Sequence, residues 1–173
     1  MSSANVPWPC PVCAELVEVG LQDCPHCGTS ADWIDWLRAL DFSIRQFHYW
    51  NLTGGLDKTE YRTIVDACRG RREEMMRKAE SNQAAPEVKS LPSRTLCWSC
   101  STPTKPNARF CGQCGAVLNV PEVRQLRYQT FLRSEIADHA RAGRISEKVA
   151  QALTQEVDQT LVGIRQRLET AKP

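Results

Sequence analysis

Eight of the nine cysteines fall into two groups with one spacing. Cys10-x2-Cys13-x10-Cys24-x2-Cys27 is repeated 87 residues later as Cys97-x2-Cys100-x10-Cys111-x2-Cys114. A Cys-x2-Cys pair lets one tight turn aim two sulfurs at a single point. Two such pairs complete a tetrahedron of soft donors, the arrangement that Zn2+ favours. The spacing therefore predicts two structural Zn2+ ions, one held by each group. Four thiolates leave no position for water, so a catalytic zinc is not expected.

The segments Cys24-Pro-His-Cys27-Gly28 and Phe110-Cys111-Gly-Gln-Cys114-Gly115 carry a glycine just after the turn. They resemble the knuckles of the zinc-ribbon family, and the Cys-Pro-x-Cys-Gly pattern also resembles rubredoxin. Rubredoxins hold iron with the same ligands but separate their pairs more widely. The resemblance implies a small zinc-bound β-hairpin fold in about 20 residues of each copy. It says nearly nothing of function, because ribbons occur in polymerase subunits, ribosomal proteins, enzymes and adaptors.

The duplication extends past the cysteines. Each group is followed by two helical patterns with a glycine break between them. Gly55-Leu56-Asp57 in the first copy corresponds to Gly143-Arg144-Ile145-Ser146 in the second. In copy one, Ser30 or Asp32 caps a helix running to about Asn51, with Trp33, Trp36, Leu37, Leu40, Ile44, Phe47 and Trp50 at three- and four-residue steps. Asp57 and Glu60 form a capping-box pattern for the next helix, whose face carries Tyr61, Ile64, Val65, Cys68, Met75 and Ala79. In copy two, Pro121 suits a first helical position and that helix buries some of Leu126, Phe131, Leu132, Ile136 and Ala140. Ser146 caps the last helix, with the stripe Val149, Leu153, Val157, Leu161, Ile164 and Leu168.

The expected fold is mainly α with two small zinc ribbons, as a tandem repeat of ribbon plus antiparallel helical hairpin. Unit one spans 6–81 (ribbon 6–29, hairpin 30–81). A polar, proline-bearing linker spans 82–94. Unit two spans 95–171 (ribbon 95–118, hairpin 120–171).

Charge narrows the partners. The formal charge of +2 becomes −2 once each four-thiolate zinc centre contributes its own −2. Residues 1–85 carry nine Lys or Arg against twelve Asp or Glu, and residues 86–173 carry thirteen against eight. Such a dipole could orient a partner or favour self-association. It does not mark a polyanion binder. Lys105 and Arg109 beside Phe110 and Trp98 make ribbon two the better nucleic-acid surface, whereas Glu15, Glu18 and Asp23 in ribbon one would repel phosphate. Arg69, Arg71, Arg72, Arg77 and Lys78, interleaved with Glu73, Glu74 and Glu80, read as an ion-paired solvent face.

Other residues have bland readings. Cys68 falls on an apolar stripe and reads as a small buried group. His26 sits in a knuckle whose four ligands are already supplied. His48 and His139 are helical, with no nucleophile visibly beside them. No phosphate loop or catalytic constellation is visible, so no enzyme is expected. No apolar run approaches the roughly 20 residues needed to span a bilayer, and the N-terminus lacks signal-peptide character. A cytoplasmic location follows as the expectation, where paired cysteines serve as metal ligands.

The aromatics crowd the first helix more widely than one stripe. Trp33, Trp36, Phe42, Tyr49 and Trp50 are either covered by the other copy or available to a protein partner. The function expected is a non-enzymatic zinc-stabilised adaptor, a subunit of a larger bacterial assembly. A nucleic-acid-binding or transcription-associated protein and a regulatory subunit of an enzyme complex are the alternatives.

Overall fold

The computed structural model describes residues 8–17, 23–81, 91–92, 94–105 and 108–171. The expected linker residues 82–90 and 93, and Glu18, lie outside them. Four helices dominate: α1 (Ala31–Thr53), α2 (Lys58–Glu80), α3 (Pro121–Arg141) and α4 (Glu147–Thr170). Regular strand among the described residues is confined to β1 (Trp8–Pro9) and β2 (Leu16–Val17), paired antiparallel with Trp8 opposite Val17. Three isolated bridges, Asp23–Ser30, Leu96–Pro103 and Phe110–Val117, complete the ribbons.

The helix boundaries follow local chemistry. Ser30 caps α1 through its side chain, and Gly54 ends it at φ 84°, a left-handed conformation that glycine adopts without steric cost. The Asp57 carboxylate accepts from the amides of Thr59 (2.7 Å) and Glu60 (2.8 Å), while Glu60 reaches back to the Asp57 amide. Pro121 opens α3, and Gly143 follows it at φ 66°. Ser146 caps α4.

Each hairpin is antiparallel, and the two hairpins fuse into one helical body. Its core draws on all four helices, with Leu37, Leu40, Phe47, Ile64, Leu132, Ile136 and Ile164 completely buried. The seam is the packing of α1 on α3. Asp35 meets Arg127 and the Tyr128 hydroxyl (3.1 Å), Trp36 meets Phe131 edge-on (6.2 Å), and Phe47 meets His139 (5.4 Å). Early residues pair with early and late with late, so α1 and α3 run in the same direction. A pseudo-twofold therefore relates the copies, with both ribbons at one end and both hairpin turns at the other. At the turn end, Glu60 also accepts from the Ser146 amide across the copies (3.1 Å), and Gly55 lies against Leu153.

This packing settles most of the aromatic surplus. Trp33, Trp36 and Trp50 are buried, so these three candidate partner contacts are corrected to core residues. Phe42 is half-buried against Tyr128 (5.8 Å), and of the five only Tyr49 is exposed. The partner surface that covers Trp36 and Phe42 is the chain's own second copy.

The supposed solvent face of α2 is also corrected in part. Lys78 and Glu74 do pair at the surface (2.5 Å). Arg72, however, binds Asp41 on α1 (2.7 Å), and Arg71 crosses to Glu135 on α3 while lying over the Trp36 ring. Glu135 is buried, and burial pushes its carboxyl up against the opposing pull of Arg71. Beside it, Cys68 Sγ lies 3.4 Å from His139 Nε2, so the histidine has a thiol neighbour that the sequence did not reveal. Burial pushes the thiol up to about 12 and the imidazole down to about 4, the latter helped by Arg144 and Arg71. The two groups meet as neutral thiol and neutral imidazole.

Candidate metal centres

All four Cys-x2-Cys turns share one backbone geometry. In the first, the Cys10 amide donates to Glu15 O (2.8 Å) and the Ala14 amide donates to Cys10 O (2.9 Å). The turns at Cys24, Cys97 and Cys111 repeat both bonds at 2.8–2.9 Å. Each turn places the residue after its second cysteine in the left-handed region: Ala14 at φ 62°, Gly28 at 73°, Ser101 at 58° and Gly115 at 70°. The sequence marked this position only where it held glycine. Ala14 and Ser101 carry the conformation at a cost of about 1–2 kcal/mol. Nothing stands within 4 Å of a Cβ built on Gly28. Gly28→Ala is therefore expected to cost about 1–2 kcal/mol and to leave zinc stoichiometry unchanged, as metal analysis and a chelator competition would register.

The turns converge the sulfurs. Cys10 and Cys27 stand 3.8 Å apart and Cys13 and Cys24 3.7 Å. In the second ribbon, Cys97 and Cys114 are 3.7 Å apart and Cys100 and Cys111 3.6 Å. A disulfide requires about 2.05 Å. Zn–S bonds of about 2.3 Å at tetrahedral angles separate neighbouring sulfurs by about 3.8 Å. The spacing fits a zinc tetrahedron at both places.

The four thiols of a site are not alike. Cys10 and Cys97 are buried, which pushes them up to about 12 and about 11. Cys100 is exposed and held down to about 6 by the Thr102 hydroxyl and amide. At Cys27 burial raises the thiol, but the Thr29 hydroxyl (3.1 Å) and amide outweigh it and bring Cys27 to about 7. Each site thus offers an exposed sulfur that is readily ionised and a buried one that yields its proton to the arriving cation. His26 is exposed, beside four sulfurs that already complete the shell.

The ribbons are seated on the helices they precede. Ile34 of α1 packs with Cys10, Val17 and Cys24, and Arg38 donates to Pro9 O (3.2 Å). In ribbon two, Val117 joins the helical core and Trp98 donates from Nε1 to Val117 O (2.7 Å). Trp98 is half-buried in this role, which removes it from the surface expected around Lys105 and Arg109. Phe110 remains exposed beside Arg109. Arg94 ties the entry to ribbon two onto Ala31 O at the start of α1 (3.3 Å), which keeps the two ribbons neighbours.

A family model for the zinc-ribbon domain matches residues 96–118, the second ribbon. No curated protein and no solved structure matches the chain. The first ribbon repeats the ligand spacing and turn geometry of the matched one. The match shows a zinc-ribbon domain at 96–118, and the two four-cysteine groups fit two structural zinc ions. Among the described residues, no helix is long and apolar enough to cross a membrane.

Proposed function

We propose that the protein is a non-enzymatic, zinc-stabilised adaptor that binds other proteins through its paired ribbons. The observation that supports this reading is the placement of two closed zinc ribbons at one end of a single helical body, each with an apolar side chain left in solvent. Leu16 on ribbon one is 61% exposed, and Leu96 and Phe110 on ribbon two are 44% and 49% exposed. Zinc bound by four thiolates has no coordination position left for a substrate, so its contribution is to folding and to shape. Apolar side chains of this size are unfavourable in water, and an aromatic ring such as that of Phe110 belongs to the class enriched at interface cores. A second concave surface, an open trough of about 960 Å³ between α3 and α4, combines Ala137, Ala140, Ala150 and Val162 with polar side chains that include Gln151, Gln155 and Asp158.

The test compares a tagged wild-type chain with Leu16→Glu and Phe110→Glu in native lysate, with and without nuclease. Stoichiometric protein partners that survive nuclease and disappear with either variant support the adaptor. Partners unchanged by both variants would remove the ribbons from the interface.

One observation favours a second reading, nucleic-acid contact through ribbon two. Phe110 stands exposed beside Arg109, with Lys105 also in solvent, which is the pairing of ring and cation that single strands use. Binding should then weaken steeply with salt and fall on Lys105→Ala and Arg109→Ala. Absence of any shift with RNA or DNA at low salt would eliminate it.

A further inference from the structure

The seam between the copies holds a set of donors that the zinc ribbons do not use. Cys68 on α2 and Glu135 and His139 on α3 bring a sulfur, a carboxylate oxygen and a ring nitrogen within 4.8 Å of one another, and all three residues are buried. Glu135 and His139 stand four residues apart, on successive turns of one helix face. Zinc bonds of about 2.3 Å to sulfur and about 2.0 Å to nitrogen span about 3.5 Å at a tetrahedral angle. The Cys68 Sγ to His139 Nε2 separation is 3.4 Å.

The duplication shows that packing does not require this set. The capping residues Asp57 and Ser146 put corresponding helix positions 89 residues apart. At that displacement Cys68 matches Val157, His139 matches Trp50 and Glu135 matches Gln46. Val157 and Trp50 are buried, so apolar side chains fill the equivalent space across the pseudo-twofold. A buried carboxylate and its ion pair are seldom more stabilising than apolar residues of like volume. Cys68 and His139 thus stand where the other copy accepts hydrocarbon, and Glu135 stands where it carries the half-buried amide of Gln46.

We propose that Cys68, Glu135 and His139 form a third metal site, taking Zn2+ or a similar borderline divalent ion such as Co2+ at the seam between the two copies. The thiolate and the carboxylate neutralise the ion, and the imidazole supplies the third donor. A water completes the tetrahedron. Arg71 occupies Glu135 Oε2 and leaves the carboxylate its other oxygen. Arg144 lies 3.3 Å from His139 Nδ1. A guanidinium only donates, so without metal the ring proton sits on Nε2. Binding moves that proton to Nδ1, displaces the half-buried Arg144 towards solvent, and releases the Cys68 thiol proton. One proton leaves per ion bound, so the site fills better at higher pH. With three ligands and two arginines nearby, it fills after the two four-cysteine centres.

The experiment is a metal count on the full chain, dialysed to equilibrium against micromolar free zinc at pH 8. Three zinc ions per chain are expected in the wild type. Two are expected in Cys68→Val, which reproduces the residue of the matching position, and in His139→Gln. Two in the wild type, or three in either variant, overturns the proposal. Cobalt titration of the wild type gives a readout independent of the variants. The first two equivalents produce the intense bands of sulfur-rich tetrahedra, and a third should add the weaker bands of a single-thiolate site. Spectra that stop changing at two equivalents overturn it as well.

Discussion

Stripping zinc from the protein is expected to unfold one end of the molecule and leave the other standing. The ribbons have little apolar substance of their own. Beyond the ligands, the first has Val17 and Ile34 in its small cluster, and the second has Ala116. Zinc binding to such sites commonly contributes on the order of 10 kcal/mol, far more than these side chains supply. The helical core, by contrast, is built from residues of all four helices, with Val117 and half-buried Val12 and Trp98 contributed from the ribbons. A strong chelator should therefore release both ions, expose the ribbons to protease and leave most of the helical circular dichroism. Acidification should do the same, because each thiolate must give up the metal to take a proton. Cys111→Ser should confine the damage to ribbon two, with zinc falling by one ion per chain. Loss of all helical signal in parallel with zinc would show that the ribbons hold the helices together.

Phe131→Ala is expected to be the most damaging single substitution at the seam. Its ring is 1% exposed and packs edge-on against Trp36 of the other copy. Truncating a buried phenylalanine costs about 3–5 kcal/mol, the transfer loss plus the cavity left behind. For a chain of this size each kcal/mol lowers the melting temperature by about 2–4 °C, so a fall of about 6–20 °C is expected by calorimetry. The zinc content of the two ribbons should not change, since Phe131 belongs to the helical core and not to the clusters that contain the ribbon cysteines. A loss under about 1 kcal/mol would mean that the two hairpins do not depend on the α1–α3 contact.

The features that were legible in the sequence are those written in short-range chemistry. The two four-cysteine groups, the caps at Ser30, Asp57 and Ser146, the proline opening α3 and the glycine stops all depend on residues a few positions apart. The stripe of α4 was plain because its buried side chains are aliphatic. The buried face of α3 was not, because Arg127, Gln129, Glu135 and His139 stand where apolar residues would have announced it. Three of these four are met from the other copy, Arg127 by Asp35, Glu135 by Arg71 and His139 by Cys68. Those partners lie more than 60 residues away, beyond any local pattern. One signal was available. Cys68 on an apolar stripe, with a glutamate and a histidine four residues apart on another helix, is the grouping that the seam assembles. The left-handed residues Ala14 and Ser101 were also within reach, since four turns of one spacing require one backbone path.

The parallel contact between α1 and α3 gives the molecule the form of a dimer written as one chain. The two halves belong to a single polypeptide. A tether of that kind makes partner halves meet at an effective concentration in the millimolar range. The pairing of the two ribbons is therefore independent of how much protein a cell makes. Fusion also frees the halves from identity. A true homodimer must present the same surface twice, whereas this chain carries acidic side chains on its first ribbon (Glu15, Asp23) and basic ones on its second (Lys105, Arg109), on a single frame. Proteolysis between the halves would restore the dependence on dilution and convert a fixed pair of unlike prongs into a reversible one.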